Sequence, residues 1–291
     1  MRRLVWFGAA VALLAGCSAP GGSVEDRPGP VPDPADRSKA VADAWDGSPA
    51  ARAWREGFYP LEPLTRLPED AWHSGADKEA WLQHRLVWRS NVIADIPSTA
   101  PVKWADGKTL DLRLLDPRQA LPMDPAAEQG GEGPPPLKIT AWRHGSLDMV
   151  TSRGRATVPA WLYTIEGYAT PVARVAVAES APPKNPIGPQ AEIAPNLSLE
   201  GVSADGTVLT LSAGHGACDA GAKVDVLESA ETVVLAGSVK PGPDPGGACT
   251  AQLLMQTVTV RLARPLAARV PLDALTGGPV MFQGRQRESG D

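Results

Sequence analysis

The chain has 291 residues, with 28 Lys and Arg against 33 Asp and Glu, a formal net charge of −5. That balance, with the basic residues scattered, is no surface for phosphate backbones, so nucleic acid is excluded as a partner. The length is enough to bury one or two real cores.

The first residues divide into three parts. Arg2 and Arg3 are a positive start, Leu4 to Leu14 is an apolar run, and Leu14-Ala15-Gly16-Cys17 closes it. This is the layout of a secretory signal peptide, and its end resembles the lipobox of bacterial lipoprotein precursors. The resemblance implies cleavage after Gly16 and lipidation of Cys17 as the mature N-terminus. A spanning helix needs roughly 20 apolar residues, more than this run supplies. Residues 1–16 are therefore expected to be the signal peptide and the membrane to be met through lipid on Cys17, at the outer face of the cell membrane. Losing two arginines lowers the formal charge to −7.

Residues 17–37 are rich in Pro, Gly and charge and cannot form a core, so they read as a tether. A first domain is expected over 38–181, helical and then β. Ser48-Pro49 is an N-cap followed by Pro at the first helical position, with Gly57 ending the run. Ser74 predicts a second cap, with Asp77 and Glu79 in the first turn. From Val102 the period changes to two. Asp106-Gly107 followed by Leu110, Leu112 and Leu114 is a hairpin signal. Residues 128–136 read as a flexible insert. Leu137 to Trp142, Ala156 to Ile165 and Val172 to Val177 read as strands, with Ser152-Arg153-Gly154 as a turn.

Residues 182–195 form a Pro-rich linker, and a second β domain is expected over 196–282. Its strands are Leu197 to Val202, Val208 to Ser212, Lys223 to Glu228, Thr232 to Val239 and Gln252 to Leu262. Residues 283–291 read as a polar tail. The fold class expected is mainly β: short N-terminal helices followed by two small sandwich-like or barrel-like domains. Ala204-Asp205-Gly206 before Leu209 and Leu211 echoes Ala105-Asp106-Gly107. One hairpin signal used twice explains this better than a duplicated domain, because the echo ends within a dozen residues.

With Cys17 on lipid, Cys218 and Cys249 remain. An even pair in an exported chain favours a disulfide. The rival is metal ligation with His215 and Asp219, but there is no C-x-x-C and no spaced histidine pair, so no metal is expected. Gly216 to Lys223 fails as a phosphate loop, since Lys223 comes late and no Ser or Thr follows it. His73, His84, His144 and His215 sit in no catalytic motif, and neither G-x-S-x-G nor a matched S-x-x-K is present. No catalytic residue and no cofactor is expected. Asp70, Asp95, Asp106, Asp116, Asp148 and Glu166 could pair for glycoside hydrolysis, though turn formation and solvation explain them more simply. All nine Trp fall at or before Trp161. Trp54, Trp72, Trp81, Trp88, Trp104, Trp142 and Trp161 could line a groove. Core packing is the better reading in a domain poor in Phe and Tyr.

Several segments resemble a family of actinomycete (Streptomyces-type) lipoproteins. They are Thr151-Ser152-Arg153-Gly154 with Ala156 to Trp161, Gly214-His215-Gly216 with Cys218-Asp219, and Cys249-Thr250. Pro265-Leu266, Leu272-Asp273 and Thr276 to Val280 complete the set. The chain departs in having Ala267 where the family leads one to expect glycine. The resemblance implies envelope residence and the Cys218–Cys249 pair, and implies no reaction. The expected role is a binding or structural module of the envelope, partnered by the membrane and by an envelope component or protein. A hydrolase acting on cell-wall sugar or peptide is the alternative. A solute-binding receptor is third, since strands follow strands without βαβ units.

Overall fold

The computed structural model describes residues 33–68, 72–89, 96–190, 197–243 and 249–282. The signal peptide, Cys17 and most of the tether, with the 283–291 tail, lie outside the described residues. The fold is mainly β, with a few short helices.

Two helices come first. α1 (Pro34–Trp45) starts inside the stretch that composition assigns to the tether. Asp33 caps it by accepting the Ala35 N–H, and Pro34 occupies the first turn, where a missing N–H costs nothing. α2 (Pro49–Glu56) has the expected Ser48 cap and ends at Gly57.

The next elements are β1 (Thr65–Arg66), α3 (Gly75–Leu82), β2 (Leu86–Trp88), β3 (Thr99–Trp104), β4 (Thr109–Arg113), α4 (Pro117–Ala120) and α5 (Pro125–Glu128). β5 (Leu137–Thr151), β6 (Gly154–Ile165) and β7 (Val172–Val175) complete the N-terminal region. β5 and β6 form a long antiparallel hairpin. The other edge of β6 pairs first with β3 and then with β7, β1 pairs with β7, and β2 runs parallel to β5. Val102, Trp104, Ile139, Met149, Val158, Trp161 and Tyr163 fill this core.

The C-terminal strands are β8 (Leu197–Val202), β9 (Val208–Gly216), β10 (Gly221–Glu228), β11 (Thr232–Lys240), β12 (Leu253–Arg261) and β13 (Val270–Asp273). They form two three-stranded sheets, β10-β11-β13 and β12-β9-β8. Residues 279–282 join them on one side, where Val280 N–H reaches Pro271 O and Leu199 N–H reaches Met281 O. On the other side β10 and β12 are neighbours without a backbone ladder. In that seam the Ala222 N–H donates to Gln256 Oε1 at 2.8 Å, and the Ala263 N–H donates to Glu228 Oε1 at 2.6 Å. Glu228 also holds Arg269 at 2.7 Å, a pair with little exposure. Cys218 and Cys249 are joined as a disulfide, with Cα atoms 5.8 Å apart, and tie the β9–β10 turn to the approach to β12.

Both Asp-Gly turns make hairpins, β3–β4 and β8–β9. Gly107 (φ +83°) and Gly206 (φ +74°) take the left-handed conformation, and Asp106 and Asp205 each accept an N–H two residues on. The Ser203 hydroxyl, with donors from Thr207, holds the Asp205 carboxyl down at about 2.

Packing does not follow chain order. Val41, Trp45, Ala51, Trp54, Tyr59 and Leu61 share one core with the C-terminal strands. α1 lies on β11, the Trp45 Nε1–H donates to Gly277 O at 2.8 Å, and Arg37 reaches Ala274 O and Gly188 O. Part of the Pro-rich linker joins in, with Ile187 on the same core and the Gln190 N–H on Leu275 O.

Two expectations follow. Ala267 adopts φ +48°, in the region that favours glycine. Ala267→Gly should raise unfolding free energy by about 1 kcal/mol in urea titration; an unchanged or lower value would show the turn to be relaxed. Asp273 is buried, and burial pushes its carboxyl up despite N–H donors from Leu275 and Thr276 and the nearby Arg37 charge. A carboxyl raised in the folded state stabilises fully below the unfolded carboxylate range and loses that contribution as pH rises through its folded value. Asp273→Asn keeps the oxygen acceptor. It should remove that loss of stability with rising pH, read as Tm against pH; an identical pH profile would contradict the assignment.

Candidate functional site

The site is built at the end of α3. The Ser74 hydroxyl accepts the Asp77 N–H and starts the helix. At its other end the Arg85 N–H returns to Ala80 O and the His84 N–H to Trp81 O. This is a Schellman ending, and its left-handed position is normally given to glycine. Here it is His84, at φ +55°. The next residue, Arg85, is 4% exposed and donates to Gly131 O, Glu132 O and Pro134 O at 2.7–2.9 Å. The insert that composition reads as flexible is thus wrapped around a guanidinium. The Asp124 N–H donates to His84 O, joining α5 to the same helix end.

Between this helix end and the sheet edge lies a cleft of about 190 Å³. Trp81, Leu67, Leu86, Leu121 and Pro122 give it apolar walls, and Thr65, His84 and Arg174 give it polar ones. The Arg174 Nη1–H donates to Thr65 Oγ1 at 2.8 Å across the β1–β7 pair. Trp81 is backed by Trp72 at 5.4 Å, and Trp72 meets Tyr168 edge-on. His73 stacks on Tyr168 at 4.1 Å, and the Tyr168 hydroxyl donates to Asp77 Oδ2. The indole wall is therefore held by a chain of rings. Two other hollows are more open: one of about 380 Å³ between the start of α1 and β10, the other of about 320 Å³ at Lys103, Trp104 and Asp148. Neither of them brings a half-buried indole together with a hydroxyl, an imidazole and a guanidinium.

The remaining sequence candidates are spread out. His144 lies edge-on to Trp161, and His215 sits within β9 opposite Leu254, with Nδ1 near its neighbour's carbonyl, so Gly214-His215-Gly216 ends a strand. Asp106 is a turn former, Asp116 caps α4, Asp148 accepts from the Thr157 hydroxyl, and Glu166 pairs with Lys138. Asp70 and Asp95 lie outside the described residues. Among the described residues no group of three or more His, Cys, Asp and Glu stands where it could hold a metal, and no helix is long and apolar enough to cross a membrane. Trp45, Trp54, Trp104 and Trp161 are buried; Trp72, Trp81, Trp88 and Trp142 are half-buried. The cleft itself went unforeseen because His84 carries none of the marks of a helix end that glycine would have carried.

His84 is a strained position that keeps its side chain, and such outliers concentrate where a ligand is held. His84→Gly should leave Tm unchanged or raise unfolding free energy by up to about 1 kcal/mol. A loss of stability would mean that the ring serves packing. Compared with protein-family models, curated proteins and solved structures, the chain matches none.

Proposed function

We propose that the chain is a lipid-anchored envelope protein that works by binding, through the cleft at the end of α3. The carrying observation is that cleft, whose lining joins an indole and aliphatic side chains to a hydroxyl, an imidazole and a guanidinium. Ligand sites are typically apolar hollows with a few convergent polar groups. The anchor reading is supported by Leu14-Ala15-Gly16-Cys17, and an anchored chain would meet envelope material.

Two measurements test this. Intact mass of the membrane-extracted protein should show loss of residues 1–16 and acyl mass on Cys17; an unmodified Cys17 contradicts the anchor. Thermal unfolding of the full-length protein should then be followed against separated envelope fractions: wall glycan, wall peptide and lipid headgroups. One fraction at hundredfold excess over Kd should raise Tm by roughly 5–10 °C, and Trp81→Ala should abolish the rise. No rise with any fraction, or an equal rise in the variant, removes the cleft as the binding site. Consumption of the fraction would favour the hydrolase.

A further inference from the structure

We infer that the cleft receives a single sugar ring of a cell-wall glycan; this rests on the reading of the cleft as a binding site. Its size comes first. A hollow of about 190 Å³ is below the roughly 300–1,000 Å³ of sites that swallow whole small molecules, so it takes one ring or one side chain of something larger. The chemistry of the walls comes second. The apolar lining is Trp81 with Leu67, Leu86, Leu121 and Pro122, and indole and aliphatic surface suits the C–H face of a pyranose ring. The rim supplies Thr65 Oγ1, the His84 ring and the Arg174 guanidinium from three separate elements. An imidazole ring and a hydroxyl offer both donor and acceptor positions, which matches sugar hydroxyls that also do both.

A peptide is the rival occupant. Extended peptides gain affinity by adding a strand to a sheet edge, but β1 at this edge is two residues long and offers no ladder. An aliphatic side chain would make no use of the hydrogen-bonding capacity of the Thr65 hydroxyl and the His84 ring. A polyanion is disfavoured by the formal charge of −5.

The position of His84 adds an independent argument. At φ +55° a glycine would be more stable, yet the ring is kept and lines the cleft. Its backbone is fixed by the helix ending and by the Asp124 N–H on its carbonyl, so the point from which the ring projects is set before any ligand arrives. Preorganisation of this kind reduces the entropy lost on binding.

The test titrates β-1,4-linked N-acetylglucosamine oligomers, two to six units long, into the full-length protein in detergent, read by calorimetry and Trp fluorescence. Saturable binding is expected for the wild type. Trp81→Ala should weaken it at least tenfold, which is 1.4 kcal/mol. Trp81→Phe should weaken it less, and His84→Gly several-fold with Tm kept. Affinity should level off within a few units, since one ring enters the cleft. Isolated wall peptides are the second arm. If peptides bind in a Trp81-dependent manner and the oligomers do not, the cleft stands as a binding site and the glycan inference is wrong. If the oligomers bind with equal affinity to Trp81→Ala, or not at all, the inference is overturned.

Discussion

The C-terminal strands cannot fill their own core. From Leu197 to Phe282 the only aromatic residue is Phe282, and the inward positions are Leu, Val and Ala. The missing volume is brought from the other end of the chain. Trp45, Trp54 and Tyr59 are essentially unexposed in this core, with Trp54 and Tyr59 stacked at 4.6 Å. Each such ring buries some 150–250 Å², worth several kcal/mol at about 25 cal/mol per Å². The helices are therefore part of the C-terminal core, and Arg37, Trp45 and the 185–190 segment lock them onto the 274–278 turn. The same chain then leaves this core at Leu61, whose N–H donates to Val150 O, and enters the N-terminal sheet. The short segment from Phe58 to Leu61 thus connects the two cores.

That arrangement bears on the cleft. The N-terminal sheet keeps its remaining aromatics for itself. Trp104 and Trp161 are spent on packing, while Trp72 and Trp81 stay half-buried at one edge. The difference is the support behind each ring. Trp104 donates to Thr151 and Trp161 to Leu115 O, both within the layers. Trp81 packs on Trp72 and lines the cleft. The backbone of His84 and the buried Arg85 then tie the helix end to α5 and to the 131–134 segment beside the cleft.

Much of the local structure was legible. Ser48-Pro49 and Ser74 cap helices because their hydroxyls have only the first-turn N–H groups to meet. Asp106-Gly107 and Asp205-Gly206 turn because glycine accepts positive φ without cost. The disulfide followed from an even pair of cysteines. What was illegible is non-local. Nothing in Val41, Trp45 and Trp54 says which strands they cover, so an order-based reading groups them with the nearest β region. β13 is four residues long and carries no alternation, and α1 begins among prolines that read as tether. His84 is illegible because helix ends are marked by glycine, and Arg85 because a buried cation among carbonyls leaves no pattern in sequence.

The dependence of the C-terminal core on rings from α1 and α2 is tested most directly by hydrogen exchange on Trp45→Ala. Removing a fully buried Trp costs about 3–5 kcal/mol. If the account holds, amide protection in β11 and β13 falls by that order, at Val234, Leu235 and Leu272 above all, while the β5–β6 ladder keeps a larger share of its protection. Unchanged protection in β11, with the loss confined to α1 itself, would contradict it.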